Sequence, residues 1–214
     1  AVRGPAIGDA RNRTFFTGAG APRVTDPALC LTGTGRGWPL SSRRLGAPAP
    51  GEPPEAQVRA GGQAGSGDVR PAAYCCTFVN AWNEEGPPGP ASAVIQAASG
   101  QSVDVYGWGA PPAGDWGVVG RRLYRTHAPS EGAALWRFVA EIDALAPSYL
   151  DEIPDTELGE TLASQSWTPP PADLAGLTAL PNGMMAGYRE NEVWFSEPFR
   201  PHAWPAAYRL AADW

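Results

Sequence analysis

The chain has no lysine. All sixteen of its basic residues are arginine, a bias that a GC-rich genome produces without any functional cause. Without lysine the glycine-rich segments Gly107-Trp108-Gly109 and Gly114 to Gly120 are not phosphate-binding loops, since neither leads from a strand into a helix with a lysine at its head. Histidine is almost as scarce, with only His127 and His202, too few for a zinc centre of several ligands or for a histidine base with partners in reach. There is no run of about 18 apolar residues, so no helix is expected to span a membrane. The opening AVRGPAIGDARNR has no apolar signal core. Ala1 stands where a methionine would, so further residues are expected upstream. Cysteine is limited to Cys30, Cys75 and Cys76. Neighbours on a strand point to opposite faces, so Cys75 and Cys76 are not expected to bridge each other. An odd count with no even framework implies reduced thiols and folding in a cytoplasm.

What is abundant points to β structure. With 26 Gly and 24 Pro the chain could be disordered, but nine Trp, six Tyr and six Phe argue against it, because disordered chains are poor in aromatics. Short strands separated by many turns, an all-β protein, fit both facts. A net charge of -6 and a pI near 4.9 disfavour nucleic acid as a principal partner.

Three segments are expected. Residues 1–55 hold an N-terminal hairpin and a proline-rich linker. Arg13 to Thr17 (RTFFT) is the first strand, followed by a turn at Gly18 to Pro22. Arg23 to Thr25 and Ala28 to Thr32 would return, and Gly46 to Pro54 reads as a linker in polyproline conformation. Residues 56–153 should form a β-sandwich. Its clearest strand is Ala73 to Trp82 (AYCCTFVNAW), apolar on both faces and therefore interior. A Gly/Pro turn (NEEGPPGP) follows, and then a strand over Ala91 to Ala97 that should pair with it. Gln101 to Trp108, Val118 to Thr126, Trp136 to Ile142 and a short edge at Ser148 to Asp151 complete the set. Residues 154–214 are a linker and a hairpin unit. Asp155 could cap one helical turn within Asp155 to Ala163. Ala206 to Trp214 resolves into no element, so the domain is expected to continue beyond it.

The sharpest pattern lies in the third segment. Pro181-Asn182-Gly183 is a turn, Met184 to Tyr188 is a strand, Arg189-Glu190-Asn191 turns, and Glu192 to Ser196 (EVWFS) returns. Glu197-Pro198 closes the hairpin. Phe199 to Pro205 packs two prolines, a histidine and a tryptophan into a stiff loop. An isolated hairpin is marginal in water. This one should pair with strands around Arg13 to Leu31 or with chain beyond Trp214, and Trp204 should fold back beside a hydrogen-bonded His202. Asn191, Trp194, Phe195, Ser196, Glu197, Pro198, His202, Trp204 and Pro205 are the structural or interface candidates.

No catalytic set emerges, and neither cofactor nor metal is expected. Glu84-Glu85 and Asp151-Glu152 are adjacent in sequence and point apart, unlike paired glycosidase carboxylates. Ser196 lies in WFSEP rather than in a nucleophile elbow. His127 is a turn residue. Trp82, Trp108, Trp136 and Trp194 lie on strand patterns and belong in the core. Trp38, Trp116, Trp167 and Trp204 lie in loops, where rings stack on sugars or anchor interfaces.

The block NG-aGY-eNEVWFSEPFRPHAWP, together with RTFFT, RRLG-PAP, FVNAW-EEGPP-PAS, RLYRT, FVAEI and LGE-L-S--W-PP in that order, resembles structural proteins of tailed-bacteriophage virions. Within it, Tyr74, Val79, Ala81, Gly86 and Pro90-Ala91-Ser92 are similar to the last two strands of a fibronectin type III domain. The opening strands of that fold would follow here, as in a permuted sandwich, which packing tolerates. The resemblance implies a tail or neck component, nozzle- or hub-like, with propeller-like blades and a fibronectin-like sandwich. It would assemble with copies of itself into a ring and with other virion proteins, in the host cytoplasm. DNA would be passing cargo, and an acidic wall suits that. The rival expectation is a bacterial surface or secreted fibronectin-like module that binds carbohydrate through its loop tryptophans.

Overall fold

Short strands set apart by glycine and proline build five small antiparallel sheets in the computed structural model, which describes residues 1–3, 12–127 and 133–212. The first sheet is a four-stranded meander of β1 (Val2–Arg3), β2 (Thr14–Phe16), β3 (Arg23–Thr25) and β4 (Arg43–Arg44). Phe15 lies opposite Val24 on β2 and β3, and both are fully buried. The return strand expected at Ala28 to Thr32 is instead a 3-10 turn, Leu29–Leu31. Asp26 explains the change: its Oδ1 accepts the amides of Ala28 and Leu29, which bends the chain out of an extended path.

Eight strands follow: β5 (Glu55–Val58), β6 (Ser66–Ala72), β7 (Tyr74–Asn80), β8 (Ile95–Ser99), β9 (Val103–Tyr106), β10 (Val118–His127), β11 (Leu135–Asp143) and β12 (Ser148–Asp151). They give two three-stranded sheets, β12-β9-β5 and β11-β10-β7, and a ribbon, β6-β8. The two sheets share a core in which Tyr74, Cys76, Leu123 and Val139 meet Val103 and Val105. The other face of β7 is also covered, by a cluster of Cys75, Tyr124 and Leu162. All seven residues of β7 are buried, as its two apolar faces require.

One expected pairing is wrong. β7 does not form a ladder with the strand after the Gly/Pro turn; β8 pairs with β6. The neighbour of β7 on that side is the irregular segment 84–92. The amides of Gly86, Gly89 and Ser92 donate to the carbonyls of Phe78, Cys76 and Tyr74 at 2.8–3.0 Å. Pro87, Pro88 and Pro90 fall between these contacts, where no N–H is needed. The proline-rich stretch before β5 is not a free linker either. It runs against this segment so closely that a side chain at Gly86 would lie 2.5 Å from the Ala47 carbonyl oxygen.

Two buried arginines cross the sandwich. Arg121 is fully buried between the Phe78 and Trp108 rings, 4.8 and 5.1 Å from their centroids, and donates to the Gly109 and Ala144 carbonyls. Arg125 donates to Asp151 Oδ2 at 2.7 Å, and the Tyr74 hydroxyl donates to the same oxygen at 2.8 Å. Burial, then the Asp151 charge, push the Tyr74 phenol well above its usual range. Tyr74→Phe is therefore expected to cost about 1.5–3 kcal/mol in a urea titration, because one donor to a buried carboxylate is lost. A change within error would mean that Arg125 and the Ile153 amide satisfy Asp151 without the phenol.

The last segment starts with two 3-10 turns, Asp155–Glu157 and Ser164–Ser166. Asp155 lies inside the first turn and does not cap it; Pro154 holds the capping position. A second four-stranded meander then forms from β13 (Ala175–Ala179), β14 (Met185–Arg189), β15 (Glu192–Phe195) and β16 (Leu210–Ala211). The β14–β15 hairpin turns through Glu190-Asn191, with Glu190 at φ 49. Its flanking strands are β13 and β16, not the N-terminal strands, so the expected pairing partner is corrected. Residues 206–211 likewise form a 3-10 turn and a closing strand where no element was expected. The N-terminal sheet covers this unit through side chains. Phe15, Val24 and Leu45 share one core with Leu174, Leu177, Met185, Trp194 and Trp204, and Trp82 enters it from the sandwich. The first and third segments are thus one packed body in the described residues.

Candidate functional site

The loop after β15 is built from backbone hydrogen bonds. The Ser196 amide donates to the Met185 carbonyl, and the Ser196 hydroxyl accepts from the Met185 amide, which ends the hairpin on a buried serine. The amide of Glu197 donates to Ala203 O, Arg200 to Glu197 O, and Ala203 to Arg200 O, so seven residues close into a compact bulb. Trp204 is locked at its base. Its amide donates to Thr168 O at 2.8 Å, its carbonyl accepts from the Thr168 hydroxyl at 2.6 Å, and its indole N–H donates to Pro201 O at 2.8 Å. The ring is fully buried.

Of the other candidates, Pro205 is buried, Phe195 and Glu197 are half-buried, and Asn191 and Pro198 are exposed. The Asn191 carbonyl accepts from the Ala212 amide. Trp194 is buried, and its indole donates to Glu192. The nine candidates therefore divide: Trp194, Ser196, His202, Trp204 and Pro205 pack inward, Phe195 is half-buried on β15 opposite Ala186, Asn191 lies at the hairpin turn, and Glu197 and Pro198 lie in the bulb.

His202 joins this loop to the sandwich. Its Nδ1 lies 3.3 Å from Glu84 Oε1, and both side chains are about 7% exposed. Neither ring nitrogen makes an aligned hydrogen bond, so the hydrogen-bonded imidazole expected from the sequence is not found. The same carboxylate takes Arg13 Nη1 at Oε1 and Asn80 Nδ2 at Oε2. Burial by itself would raise the Glu84 carboxyl; the His202, Arg13 and Asn80 contacts outweigh it and hold the group at about 2. Three parts of the chain thus meet at one buried carboxylate.

The local fold places Glu84 there. The Asn80 side chain accepts the amides of Trp82 and Glu84, which tightens the turn, and Asn83 takes φ 60, a left-handed conformation that asparagine tolerates. Glu85 points the other way, as expected of adjacent carboxylates. It accepts from the Thr77 and Tyr124 hydroxyls and from Arg122. Between the two units lies a cleft of about 190 Å³ lined by Glu85, Arg122, Tyr124, Glu160, Trp167, Arg200 and His202 among others.

Arg13, Asn80, Glu84 and Glu85 were not singled out as a cluster by the sequence. The available signal was an asparagine on an otherwise apolar strand, since a buried polar side chain needs a partner. Among the described residues no group of three or more His, Cys, Asp or Glu side chains could hold a metal ion. The loop tryptophans also sort themselves. Trp116, Trp167 and Trp204 are buried, and Trp38 is 71% exposed. Trp82, Trp108 and Trp194 are buried as expected, and Trp136 is half-buried. No helix in the described residues is long and apolar enough to cross a membrane. The chain matches no protein-family model and no curated protein.

Proposed function

We propose that the chain is a structural component of a bacteriophage virion, a nozzle- or hub-like subunit of the tail or neck that assembles with its own copies into a ring around the DNA channel. The observation that carries this reading is the buried Arg13–Glu84–His202 junction, which ties two β bodies together beside the cleft between them. A rigid subunit is what a ring needs, and a buried ion cluster fixes relative position. The ordered series of motifs from RTFFT to PHAWP supports the family, and the acidic balance suits a wall that passes DNA.

The finer fold follows the same reading. The sheet β12-β9-β5 facing β11-β10-β7, with the irregular segment 84–92 hydrogen-bonded along β7, suits a fibronectin type III-like sandwich with permuted strand order. The two four-stranded meanders suit propeller-like blades. The rival, a secreted or surface module that binds glycans through loop tryptophans, is disfavoured because three of those four rings are buried.

Electron microscopy of the purified chain tests the proposal. Closed rings of one size are expected. A monodisperse monomer that binds a glycan array would replace this reading with the rival.

A further inference from the structure

The cleft between the two bodies carries one uncommitted charge from each of them. On the bulb side Arg200 is exposed, and its guanidinium stacks on Trp167 at 4.2 Å. Stacking fixes the plane of the fork and leaves its edge N–H groups free. Among the described residues no carboxylate pairs with it, whereas Arg122 in the same cleft is held by Glu85 and Glu141. On the sandwich side the backbone fixes Glu160, whose carbonyl accepts from the Phe138 amide at 2.9 Å. Its side chain is exposed, and among the described residues nothing donates to the carboxylate. It bears on the cleft all the same. Burial and then Glu85 push the Tyr124 phenol up, and the Glu160 charge adds to that. The ring of His202 closes the floor, buried, with neither nitrogen hydrogen-bonded. A buried polar group of this kind is costly unless something polar reaches it.

We propose that the cleft binds a small zwitterion of amino-acid size, with its carboxylate on the Arg200 fork and its ammonium on Glu160. The charges choose the ligand. A plain anion would meet Arg200 but also face Glu160 and Glu85. A plain cation would meet Glu160 but also face Arg200 and Arg122. A molecule of both signs satisfies both walls, and the Arg122–Glu85 pair adds no net charge. Size agrees, since about 190 Å³ lies below the roughly 300–1,000 Å³ of pockets that take larger ligands. Because Glu160 belongs to the sandwich and Arg200 to the bulb, an occupant ties the two bodies together and stabilises the folded form. A single copy presents the whole site, so the inference does not depend on whether the chain closes into a ring.

Calorimetric titration of the full chain with linear amino acids from glycine to γ-aminobutyrate tests this, with acetate and methylammonium as the two half-ligands. At least one amino acid is expected to bind at least tenfold more tightly than either half and to raise the melting temperature. Arg200→Gln and Glu160→Gln should each weaken that binding at least tenfold while melting like the wild type without ligand. Glu160→Gln keeps the size and shape of an exposed side chain, so its result stands even if Arg200→Gln loosens the bulb. No heat from any of the amino acids at millimolar concentration would overturn the proposal. Acetate that binds as tightly as the amino acids, and more tightly still to Glu160→Gln, would overturn it in favour of a simple anion site.

Discussion

Replacing Trp204 with alanine is expected to cost about 3–5 kcal/mol, the usual range for deleting a fully buried large ring. The ring is 0% exposed and shares a core with Phe15, Leu45, Met185 and Trp194 from both meanders. The void would therefore open where the N-terminal and C-terminal sheets meet, and neither sheet alone can close it. The Trp204 backbone bonds to Thr168 limit relaxation further, because they hold the loop in place whatever the side chain. Urea denaturation gives the number. Trp204→Phe separates the two contributions: it keeps most of the apolar area and loses the N–H bond to Pro201, so about 1 kcal/mol should remain. Since a domain of this size is stable by about 5–15 kcal/mol, the alanine variant should lose a large part of its stability. A variant that keeps wild-type stability but loses a soluble sugar would make the loop a binding site.

The parts of this fold that were legible in the sequence are those governed by local pattern. The seven-residue burial of Tyr74–Asn80 follows from an apolar run with two apolar faces, and the β14–β15 hairpin follows from alternation around Glu190-Asn191. Partner choice was not legible. Ser92 and Gly89 bond to β7 in an irregular segment whose spacing is set by three prolines, so the strand expected at Ala91 to Ala97 moved on to pair with β6. The third strand of the hairpin was sought far away in sequence, although Ala175–Ala179 and Leu210–Ala211 supply both flanks. Both are short, and Gly176 at φ 62 interrupts the alternation of the first. The junction was the least legible of all. Arg13, Glu84 and His202 are far apart in the chain, and each has an ordinary local reading: Arg13 at the start of a strand, Glu84 in a turn, and His202 hydrogen-bonded within its own loop. Only the packing of the two bodies makes them neighbours.

That packing sets the second large effect. Glu84→Ala is expected to destabilise the protein by about 3–5 kcal/mol, because it removes the buried acceptor and leaves the Arg13 guanidinium without its carboxylate. Glu84→Gln should cost less, since the amide can still accept from Asn80 and fills the same space. The two variants differ most usefully in their response to pH. The wild-type carboxyl sits at about 2 in the folded protein, below the 4.5 of an unperturbed glutamate. A group whose folded value is depressed binds its proton more readily when unfolded. Its contribution is therefore complete above pH 4.5 and is lost as pH falls through about 2. By that linkage the contribution at neutral pH is on the order of 3 kcal/mol. Other carboxylates titrate over the same window, so the decisive quantity is the difference between wild type and Glu84→Gln. That difference should be constant from pH 7 to about 5 and shrink steadily as the solution is acidified further. If instead it stays level down to pH 2, Glu84 carries its proton equally well folded and unfolded. The Arg13–Glu84–His202 junction would then hold the two bodies by shape and hydrogen bonding alone.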